Sequence, residues 1–283
     1  MQSELLKKYF KKAQKEKWAI GQFNFSTTEQ LKGILLAAKK MKSPVILGTS
    51  EGESEFLGIF SVFHLVNNLV LDLNINLKTI FLNFDHGKNL EFLKKAIDNN
   101  YSMVHIDGSL LCLEENIKKT KEAVILAKKN NVLIEGELGI IPKTGEKINK
   151  ANLTHSEQIR EFVDKTGIDC LAISFGNIHG IPKKPLKIDF ERLKQIKKQT
   201  NTFLVFHGGS GTKSQDFKKA IKLGITKINI NTEIRMIWKD SLKQALKGKE
   251  IKPYKILPNI IKQIEKLVEE KIKLFGSANK IIC

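Results

Sequence analysis

Cysteine is scarce in this chain of 283 residues, in which Cys112, Cys170 and Cys283 stand far apart. An odd number of isolated cysteines argues against a disulfide scaffold, and the lack of any Cys-x-x-Cys pair argues against a cysteine-based zinc site. No apolar run approaches the roughly 20 residues that a membrane-spanning helix requires. Residues 1–17 lack the apolar centre of a signal peptide. We therefore expect no membrane partner and a cytoplasmic location.

Arginine is also scarce, although the formal net charge is +18 at pH 7. Only Arg160, Arg192 and Arg235 are present, so lysine supplies nearly all of the positive charge. Arginine is the residue favoured for planar recognition of phosphates and bases, and the lysines are spread over many helical segments. We therefore expect solvated helix faces and no nucleic-acid partner, with a basic nucleic-acid-binding protein as the distant alternative. A basic surface would still steer an anionic substrate.

Linker-like stretches and shifts in composition are absent, so we expect a single domain over residues 1–283. Short apolar runs alternate with helical patterns in repeated units. The strands predicted from these runs cover residues 18–25, 44–50, 79–83, 103–106, 132–137, 170–174, 203–206 and 226–230. Such runs are typical of parallel strands that are buried on both faces. Eight strand–helix units predict an α/β protein with a (β/α)8 or TIM barrel.

Helical patterns follow each predicted strand. They cover residues 28–40, 54–67, 89–99, 114–129, 156–165, 190–199, 214–223 and a segment that ends near residue 247. Ser26 and Glu29 are spaced as a capping box that would open the first of these helices. An amphipathic helix over residues 258–275 is predicted as a C-terminal extension of the barrel. The polar loop of residues 138–153 is long, and loops of that length are more often functional than idle.

Polar residues stand at the carboxyl ends of the predicted strands, which is where TIM-barrel enzymes place their active sites. These residues are Asn24, Ser50, Asp85, His86, Asp107, Glu135, Glu137, His179, His207, Asn229 and Asn231. The histidines among them follow strands three, six and seven, and barrel closure brings distant strand ends together. Three histidines that leave an open coordination position are typical of a catalytic zinc site. The remaining histidines are interpreted as structural: His64, His105 and His155.

Two loops predict a phosphate cradle, although each alone is also compatible with a helix cap. Gly208-Gly209-Ser210-Gly211 follows strand seven, and Asn229-Ile230-Asn231-Thr232 ends strand eight. Phosphate sites in this fold commonly use the loops after strands seven and eight. Glycine lets backbone N–H groups approach a phosphate closely, and the helix that begins near Thr232 adds its positive end. Histidines beside such a cradle predict metal or acid/base chemistry on a phosphorylated substrate.

Taken together, these residues resemble the class II, zinc-dependent ketose-bisphosphate aldolases, a family of fructose- and tagatose-bisphosphate aldolases. The matching motifs are Phe23-Asn24, residues 44–50, Asp85-His86, residues 106–109, Glu115-Asn116, residues 135–139, Gly176-x-x-His179-Gly180, residues 207–211, residues 227–232 and residues 274–277. The resemblance implies a lyase of glycolysis and gluconeogenesis that cleaves fructose 1,6-bisphosphate to dihydroxyacetone phosphate and glyceraldehyde 3-phosphate. Tagatose 1,6-bisphosphate, which differs only at C4, stays open as the substrate, and a metal-dependent barrel hydrolase is a rival.

The resemblance also implies roles for individual residues. By that resemblance, His86, His179 and His207 bind the catalytic Zn²⁺, while Asp107 and Glu137 bind a second, mobile divalent metal. Asp85 is implied as the acid/base at the C4 hydroxyl. The residues implied in substrate binding are Asn24, Ser50, Gly180, Gly208, Gly209, Ser210, Asn229, Ile230, Asn231 and Thr232. Gly180 and Ser210 are also implied as ligands of a monovalent cation, and relatives that form dimers or tetramers imply a homodimer or homotetramer.

The chain departs from the family pattern at two places. Residues 140–147 lack the usual glycine pair followed by two acids, so Glu146 is our candidate for the general base on that loop. The segment Lys252-Pro253-Tyr254-Lys255 stands where many members carry an arginine for the far phosphate. No lysine is predicted at the carboxyl end of a strand, and Lys227 is expected to open strand eight at the opposite end. This favours the metal mechanism over a Schiff base.

Overall fold

Eight parallel strands form a closed barrel in the computed structural model, which describes residues 2–282. Each strand pairs with its neighbour in the chain, and the last pairs with the first. The strands are β1 (Ile20–Asn24), β2 (Val45–Ser50), β3 (Ile80–Gly87), β4 (Met103–Ile106), β5 (Leu133–Leu138), β6 (Cys170–Ile173), β7 (Phe203–Phe206) and β8 (Ile225–Ile230). The prediction of a TIM barrel is therefore confirmed.

The helices lie around the barrel and across one end of it, and most of them present an apolar stripe to the outer face of the strands. They are α1 (Gln2–Glu16), α2 (Thr28–Met41), α3 (Glu51–Leu57), α4 (Ile59–Asp72), α5 (Leu90–Asp98), α6 (Leu113–Lys129), α7 (Ser156–Thr166), α8 (Phe190–Gln199), α9 (Ser214–Lys222), α10 (Thr232–Ala245) and α11 (Pro253–Phe275). Short 3₁₀ turns at Leu77–Thr79 and Lys150–Asn152 complete the described elements. The larger apolar core lies between this helical layer and the strands.

The amino-terminal helix closes one end of the barrel. Leu6, Tyr9 and Phe10 of α1 are fully buried, and they form a second apolar cluster with side chains from the first residues of the strands, among them Phe81 and Phe203. The Phe10 and Phe203 rings stack with their centroids 5.2 Å apart. Because α1 covers the amino ends of the strands, the barrel interior opens at their carboxyl ends.

Three details differ from the predictions. The helix predicted over residues 54–67 is two helices, because Gly58 takes a φ of +79° and separates α3 from α4. The capping box predicted at Ser26 is wrong: Thr27 caps α2 and accepts from the backbone N–H of Gln30. A capping box does occur at the start of α3, between Ser50 and Glu53. The final helix begins at Pro253, five residues before the predicted start, because proline is well tolerated in a first turn.

Cys112 and Cys170 are free thiols, as expected, and Cys283 lies outside the described residues. Within residues 2–282 no single helix combines the length and apolar character needed to cross a membrane. Helices α3 and α4 meet these criteria only when they are counted as one segment, and the chain bends by 76° between them.

The longest helix, α11, packs against α2 at a glycine. A Cβ atom on Gly33 would lie 2.8 Å from the Cβ of Ile264 and 2.9 Å from the carbonyl oxygen of Ile261. Real Cβ atoms do not approach so closely, so the two helices would have to separate. Gly52 in α3 offers a contrast, because a Cβ there meets no atom within 4 Å.

We predict that Gly33→Ala lowers the free energy of unfolding by about 1–3 kcal/mol, the usual effect of overpacking. Gly52→Ala is the matched control and should instead be stabilising, by about 0.5–1 kcal/mol, because alanine is the better helix former. Urea unfolding of the two variants beside the parent protein measures both effects. Equal midpoints for the two variants would contradict the packing that we describe.

Candidate active site

A cavity of about 550 Å³ opens at the carboxyl ends of the strands. It brings together most of the residues that the sequence singled out. Those that line it are Asn24, Ser50, Asp85, His86, Asp107, Glu137, Glu146, His179, Gly180, His207, Gly208, Ser210, Asn229, Asn231 and Thr232. Two predicted substrate-binding residues, Gly209 and Ile230, do not line it. The side chain of Ile230 is fully buried, and Gly209 packs against the same strand end.

The bend at the end of β3 directs two neighbouring side chains toward the same cavity. Asp85 and His86 are consecutive, so in a regular strand they would face opposite sides. The pairing of β3 with β4 shifts register between Phe84 and Gly87, and His86 takes a φ of +54°. A left-handed backbone at a histidine is strained, and such strain is concentrated at functional sites. The bulge is therefore what lets both side chains line the cavity.

The imidazole rings of the three predicted metal ligands converge. Nε2 of His86 lies 3.0 Å from Nδ1 of His207. The ring centroid of His179 lies 4.9 Å from that of His86 and 6.0 Å from that of His207. Two nitrogens bound to one tetrahedral zinc at about 2.0–2.1 Å would lie roughly 3.3 Å apart. The spacing of the His86 and His207 nitrogens therefore fits a shared metal.

A buried carboxylate fixes the orientation of His207. Nε2 of His207 donates to Oε1 of Glu135 at 2.6 Å, which leaves Nδ1 with a free lone pair toward His86. The second oxygen, Oε2, accepts from the ammonium of Lys227 at 2.7 Å. Metal-binding histidines usually donate their other N–H to such an acceptor. Glu135 was noted only as a strand-end acid, so this positioning contact is a structural finding.

The position of Lys227 corrects an expectation. This residue does not open β8 at the far end of the barrel, because the strand begins two residues earlier, at Ile225. Its side chain is fully buried in the barrel interior and forms an ion pair with Glu135. The pairing compensates both charges in a region without water contact.

A second group of ligands surrounds the other nitrogen of His86. Nδ1 of His86 lies 3.2 Å from Oδ2 of Asp107 and 3.7 Å from Oε2 of Glu137. That Glu137 oxygen is buried and has no hydrogen-bond partner among the described residues. Nε2 of His105 lies 3.4 Å from it, which is a long contact, and a bound cation would satisfy this buried oxygen more fully. The two predicted ligands of a second metal thus lie together and fit that use.

His105 belongs to the same constellation, although its position inside a strand led us to interpret it as structural. It is fully buried, and the backbone N–H of His86 donates to its Nδ1 at 3.1 Å. Its Nε2 lies 3.4 Å from Oε2 of Glu137. A nitrogen of His105 lies within 4.8 Å of ligand atoms on Asp85, His86 and His207. The alternation of β-strand side chains was the available signal, because His105 stands two residues before Asp107.

The electrostatics differ between the imidazoles. Burial lowers the pKa of His179, and the positive charge of neighbouring imidazoles lowers it further, to about 3. Burial also lowers the pKa of His207, by more than its contact with Glu135 raises it. Burial lowers the pKa of His86 too, but the Asp85 and Asp107 carboxylates raise it more. The same carboxylates would attract a metal ion in place of a proton, and metal binding requires the neutral ring.

The Asp85 carboxylate lies at the centre of the cavity floor. It accepts from Nδ2 of Asn24 at 3.0 Å and from Nδ2 of Asn229 at 3.2 Å. Burial raises the pKa of Asp85, but His86 and His105 lower it more, to well below the usual value. Asp85 is therefore ionised.

The two predicted phosphate loops lie side by side. The backbone N–H of Gly209 donates to the carbonyl oxygen of Asn229 at 3.1 Å, and that of Glu233 donates to Oγ of Ser210 at 3.2 Å. Gly208 takes a φ of +65°, and any Cβ there would collide with the carbonyl oxygen of Ile178. Asn231 begins α10 without a side-chain cap. The positive end of that helix therefore faces the cavity, as an anion site requires.

The loop after β5 is attached to the loop that carries His179. The backbone N–H of Thr144 donates to the carbonyl oxygen of His179, and the N–H of His179 donates to that of Pro142, each at 2.8 Å. This pairing places Glu146 at the cavity rim. The Glu146 side chain is exposed and accepts from the backbone N–H of Lys143 at 2.8 Å. A carboxylate on an exposed loop can swing toward a substrate with few contacts to break.

Comparison with known proteins finds related sequences along almost the whole chain. A family model described as "Fructose-bisphosphate aldolase class-II" matches residues 4–280. The 6-phospho-5-dehydro-2-deoxy-D-gluconate aldolase of Shouchella clausii is 37% identical over 273 residues, which cover 95% of this chain and 92% of that protein. The fructose-bisphosphate aldolase of Geobacillus stearothermophilus is 36% identical over 280 residues, with 97% of each chain covered.

Solved structures agree with the sequence comparison. The YdjI aldolase from Escherichia coli K12 superimposes with a TM-score of 0.86 at 30% identity, covering 97% of this chain and 98% of that one. The fructose-bisphosphate aldolase from Campylobacter jejuni gives a TM-score of 0.84 at 26% identity, covering 99% and 96%. The arrangement of strands and helices described above is thus shared with aldolases of known structure.

We predict that Glu135→Gln weakens zinc binding about 10–100-fold, the usual cost of losing a contact that orients a metal-binding histidine. Glu161→Gln, which changes an exposed carboxylate on α7, should leave the affinity unchanged. Competition with a chromophoric chelator measures both. If Glu135→Gln leaves Lys227 unpaired and fails to fold, the double variant Glu135→Gln/Lys227→Met removes that charge and is measured instead. Parental zinc affinity in a folded variant would refute the orienting role.

Proposed function

Because the chain belongs to the class II fructose-bisphosphate aldolase family, we propose that it is a zinc-dependent aldolase that reversibly cleaves fructose 1,6-bisphosphate. The products are dihydroxyacetone phosphate and glyceraldehyde 3-phosphate. One observation carries this proposal: His86, His179 and His207 line the same cavity as the loops after β7 and β8. A cluster of imidazoles beside an anion cradle is what cleavage of a phosphorylated ketose requires.

The residues that would hold metal are those described above. His86, His179 and His207 would hold Zn²⁺, with Asp107 and Glu137 at a second divalent position and Gly180 and Ser210 beside a monovalent cation. When bound, zinc supplies a Lewis acid that stabilises the negative charge left on the dihydroxyacetone phosphate half. Glu135 keeps Nδ1 of His207 free for this purpose.

Asp85 acts at the C4 hydroxyl of the ketose. In the cleavage direction, the ionised Asp85 carboxylate would accept the proton from that hydroxyl as the C3–C4 bond breaks. Asn24 and Asn229 hold the carboxylate in place through their side-chain amides. In the synthesis direction the same carboxyl returns the proton to the aldehyde oxygen. Glu146 moves the C3 proton of dihydroxyacetone phosphate from its position on the loop after β5.

The loops after β7 and β8 bind the phosphate of the dihydroxyacetone phosphate half. Gly208 and Ser210 present backbone and hydroxyl donors, and Asn231 and Thr232 lie at the positive end of α10. Gly209 and Ile230 contribute by shaping these loops, since neither lines the cavity. Asn24 and Ser50 contact the sugar on the opposite side. With the phosphate bound on one side and the rest of the sugar on the other, the C3–C4 bond would lie beside the Asp85 carboxylate.

A Schiff-base mechanism is disfavoured by the surroundings of Lys227. Its ammonium is fully buried, forms an ion pair with Glu135 and does not line the cavity. A nucleophilic lysine must reach the substrate carbonyl, and the Nζ atom of Lys227 instead contacts Glu135 inside the barrel. This reason differs from the one that the sequence suggested, but it favours the same mechanism.

Other substrates fit the same site. Tagatose 1,6-bisphosphate differs only in the configuration at C4, and no described contact distinguishes the two sugars. The relative from Shouchella clausii is named for a substrate that carries one phosphate and a carboxylate. We keep that phosphorylated sugar acid as the second candidate. A metal-dependent hydrolase would release inorganic phosphate, and a nucleic-acid-binding protein would show salt-sensitive binding to DNA or RNA.

Several expectations stay predictions: a single domain over residues 1–283, a cytoplasmic location and a homodimer or homotetramer. The family match over residues 4–280 supports the first of these. A sugar phosphate as substrate follows from the family, whereas its identity rests on the proposal above.

We predict that a chelator abolishes the release of triose phosphates from fructose 1,6-bisphosphate and that added Zn²⁺ restores it. The reason is that the proposed mechanism relies on a bound Lewis acid, held by His86, His179 and His207, to stabilise the carbanion. A coupled assay measures the rate, and metal analysis before and after chelation is the control. Full activity in protein shown to be free of metal would overturn the mechanism. Release of inorganic phosphate instead would favour the hydrolase.

We predict that Glu146→Gln lowers kcat by about 100-fold, within the range for loss of a general acid or base, and leaves the zinc content unchanged. The matched control is Glu157→Gln, which alters an exposed carboxylate outside the cavity. Steady-state kinetics and metal analysis of both variants check this expectation. An unchanged kcat for Glu146→Gln would assign the loop base to a different residue.

A further inference from the structure

The side-chain amide of Asn24 donates to two carboxyl groups at once. Its Nδ2 lies 3.0 Å from Oδ2 of Asp85 and 3.0 Å from Oε2 of Glu53. A primary amide carries two N–H groups, so both donors of Asn24 are engaged. Half a turn of this amide would place its oxygen against both carboxyl groups and break both hydrogen bonds. The hold on Asp85 therefore depends on what fixes the orientation of Asn24.

Gln22 fixes that orientation from deeper in the barrel. Its Nε2 donates to Oδ1 of Asn24 at 3.0 Å. The two residues are two apart in β1, so both side chains point into the barrel interior. Gln22 is fully buried, so solvent does not compete for the contact. The oxygen of the Asn24 amide is thus held away from Asp85 as long as Gln22 presents its nitrogen.

Asn83 fixes Gln22 in the same way. Nδ2 of Asn83 donates to Oε1 of Gln22 at 2.8 Å, and Asn83 is also fully buried. The donors therefore run in one direction, from Asn83 to Gln22, then to Asn24 and finally to the Asp85 carboxylate. Hydrogen bonds that are arranged in series reinforce one another. We refer to Asn83, Gln22 and Asn24 as the amide relay.

The amide relay crosses from β3 to β1 and back, and the strand between them has a glycine at the crossing point. The register places Gly48 of β2 between Asn24 and Asn83. A Cβ atom on Gly48 would lie 2.6 Å from Nε2 of Gln22 and nearer still to Oδ1 of Asn24. Glycine inside a strand often marks such a close approach. The absence of a side chain at Gly48 is therefore what lets the β1 amides reach Asn83.

Stability alone does not explain the amide relay. Apolar side chains of similar shape would fill the same space without the cost of burying amides. The other amide on Asp85 is held less firmly, because Nδ2 of Asn229 lies 3.2 Å from Oδ1 of Asp85 and 3.3 Å from Nδ1 of His207. The contact from Asn24 is therefore the one that the amide relay directs at the carboxylate alone on that side.

We propose that Gln22 and Asn83 are positioning residues for the aldol reaction. Through Asn24 they fix the direction in which the Asp85 carboxylate faces the C4 hydroxyl of the ketose. The inference rests on the proposed aldolase function. Neither residue lines the cavity, so both act through the amide relay and not on the substrate. The step that they support is proton transfer at the C4 hydroxyl, whereas movement of the C3 proton belongs to the loop after β5.

The test separates these two steps in the zinc-loaded protein. Gln22→Met keeps the length of the side chain and removes both polar atoms of its amide. We expect kcat and kcat/KM for cleavage of fructose 1,6-bisphosphate to fall together by about tenfold, which corresponds to about one hydrogen bond. Exchange of the C3 proton of dihydroxyacetone phosphate with deuterium, followed by NMR, should stay at the parental rate, as should the zinc content. Equal losses in cleavage and exchange, or no loss in cleavage, would overturn the proposal.

A double-mutant cycle shows whether Gln22 acts through Asn24. Asn24→Ala removes the amide that Gln22 orients, so Gln22→Met added to it should lower kcat no further. A second full loss in that background would refute the amide relay. Asn83→Leu should lower kcat by a smaller factor with exchange unchanged, and it replaces Gln22→Met if that variant fails to fold. Gln199→Leu, at an exposed position at the end of α8, is the matched control and should retain both activities.

The parent protein distinguishes failure of this inference from failure of the proposed function. If the parent cleaves fructose 1,6-bisphosphate but Gln22→Met keeps the full kcat, the proposed function stands and the amide relay is refuted. If the parent catalyses the exchange but cleaves a different phosphorylated sugar, a selective loss of that cleavage in Gln22→Met supports the inference. If the zinc-loaded parent neither cleaves such a sugar nor catalyses the exchange, the proposed function fails, and the inference fails with it.

Discussion

The carboxylate of Glu135 is the contact on which the rest of the site depends. It lies inside the barrel with no exposed surface, and its two oxygens are shared between His207 and Lys227. An unpaired charge there would cost several kcal/mol, so both partners are needed for folding as well as for orientation. Because the ring of His207 is fixed from below, its other nitrogen is presented toward His86. The geometry of the proposed metal ligands therefore depends on the ion pair between Glu135 and Lys227 beneath them.

The fold could be predicted from the sequence because its signals are local. Short apolar runs bounded by turns identified all eight strands, and polar residues at their ends identified most of the cavity lining. The helix boundaries were predicted less well where a single residue sets them. Gly58, for example, separates α3 from α4 within a segment that was predicted to be one helix. A pattern of apolar residues cannot show that break, since glycine is compatible with a continuous helix at modest cost.

The parts of the site that were missed depend on register and on side-chain direction. Glu53 lies on a helix, and only the closed barrel brings it beside Asn231, far away in the sequence. His105 becomes part of the cluster because the bulge in β3 directs the backbone N–H of His86 toward it. Lys227 was expected to open β8, whereas it is the third residue of a strand that begins at Ile225, one residue earlier than predicted. Spacing along the chain gives a signal for His105, two residues before Asp107, whereas the contacts of Glu53 and Lys227 depend on the closed barrel.

Because α1 covers the amino ends of the strands, it also determines how substrate and products enter and leave the barrel. Because Leu6, Tyr9 and Phe10 pack across the amino end, the barrel interior opens at the carboxyl ends of the strands. In the proposed reaction, the substrate and both products therefore pass through the same opening. The products must therefore leave before the next substrate molecule can enter.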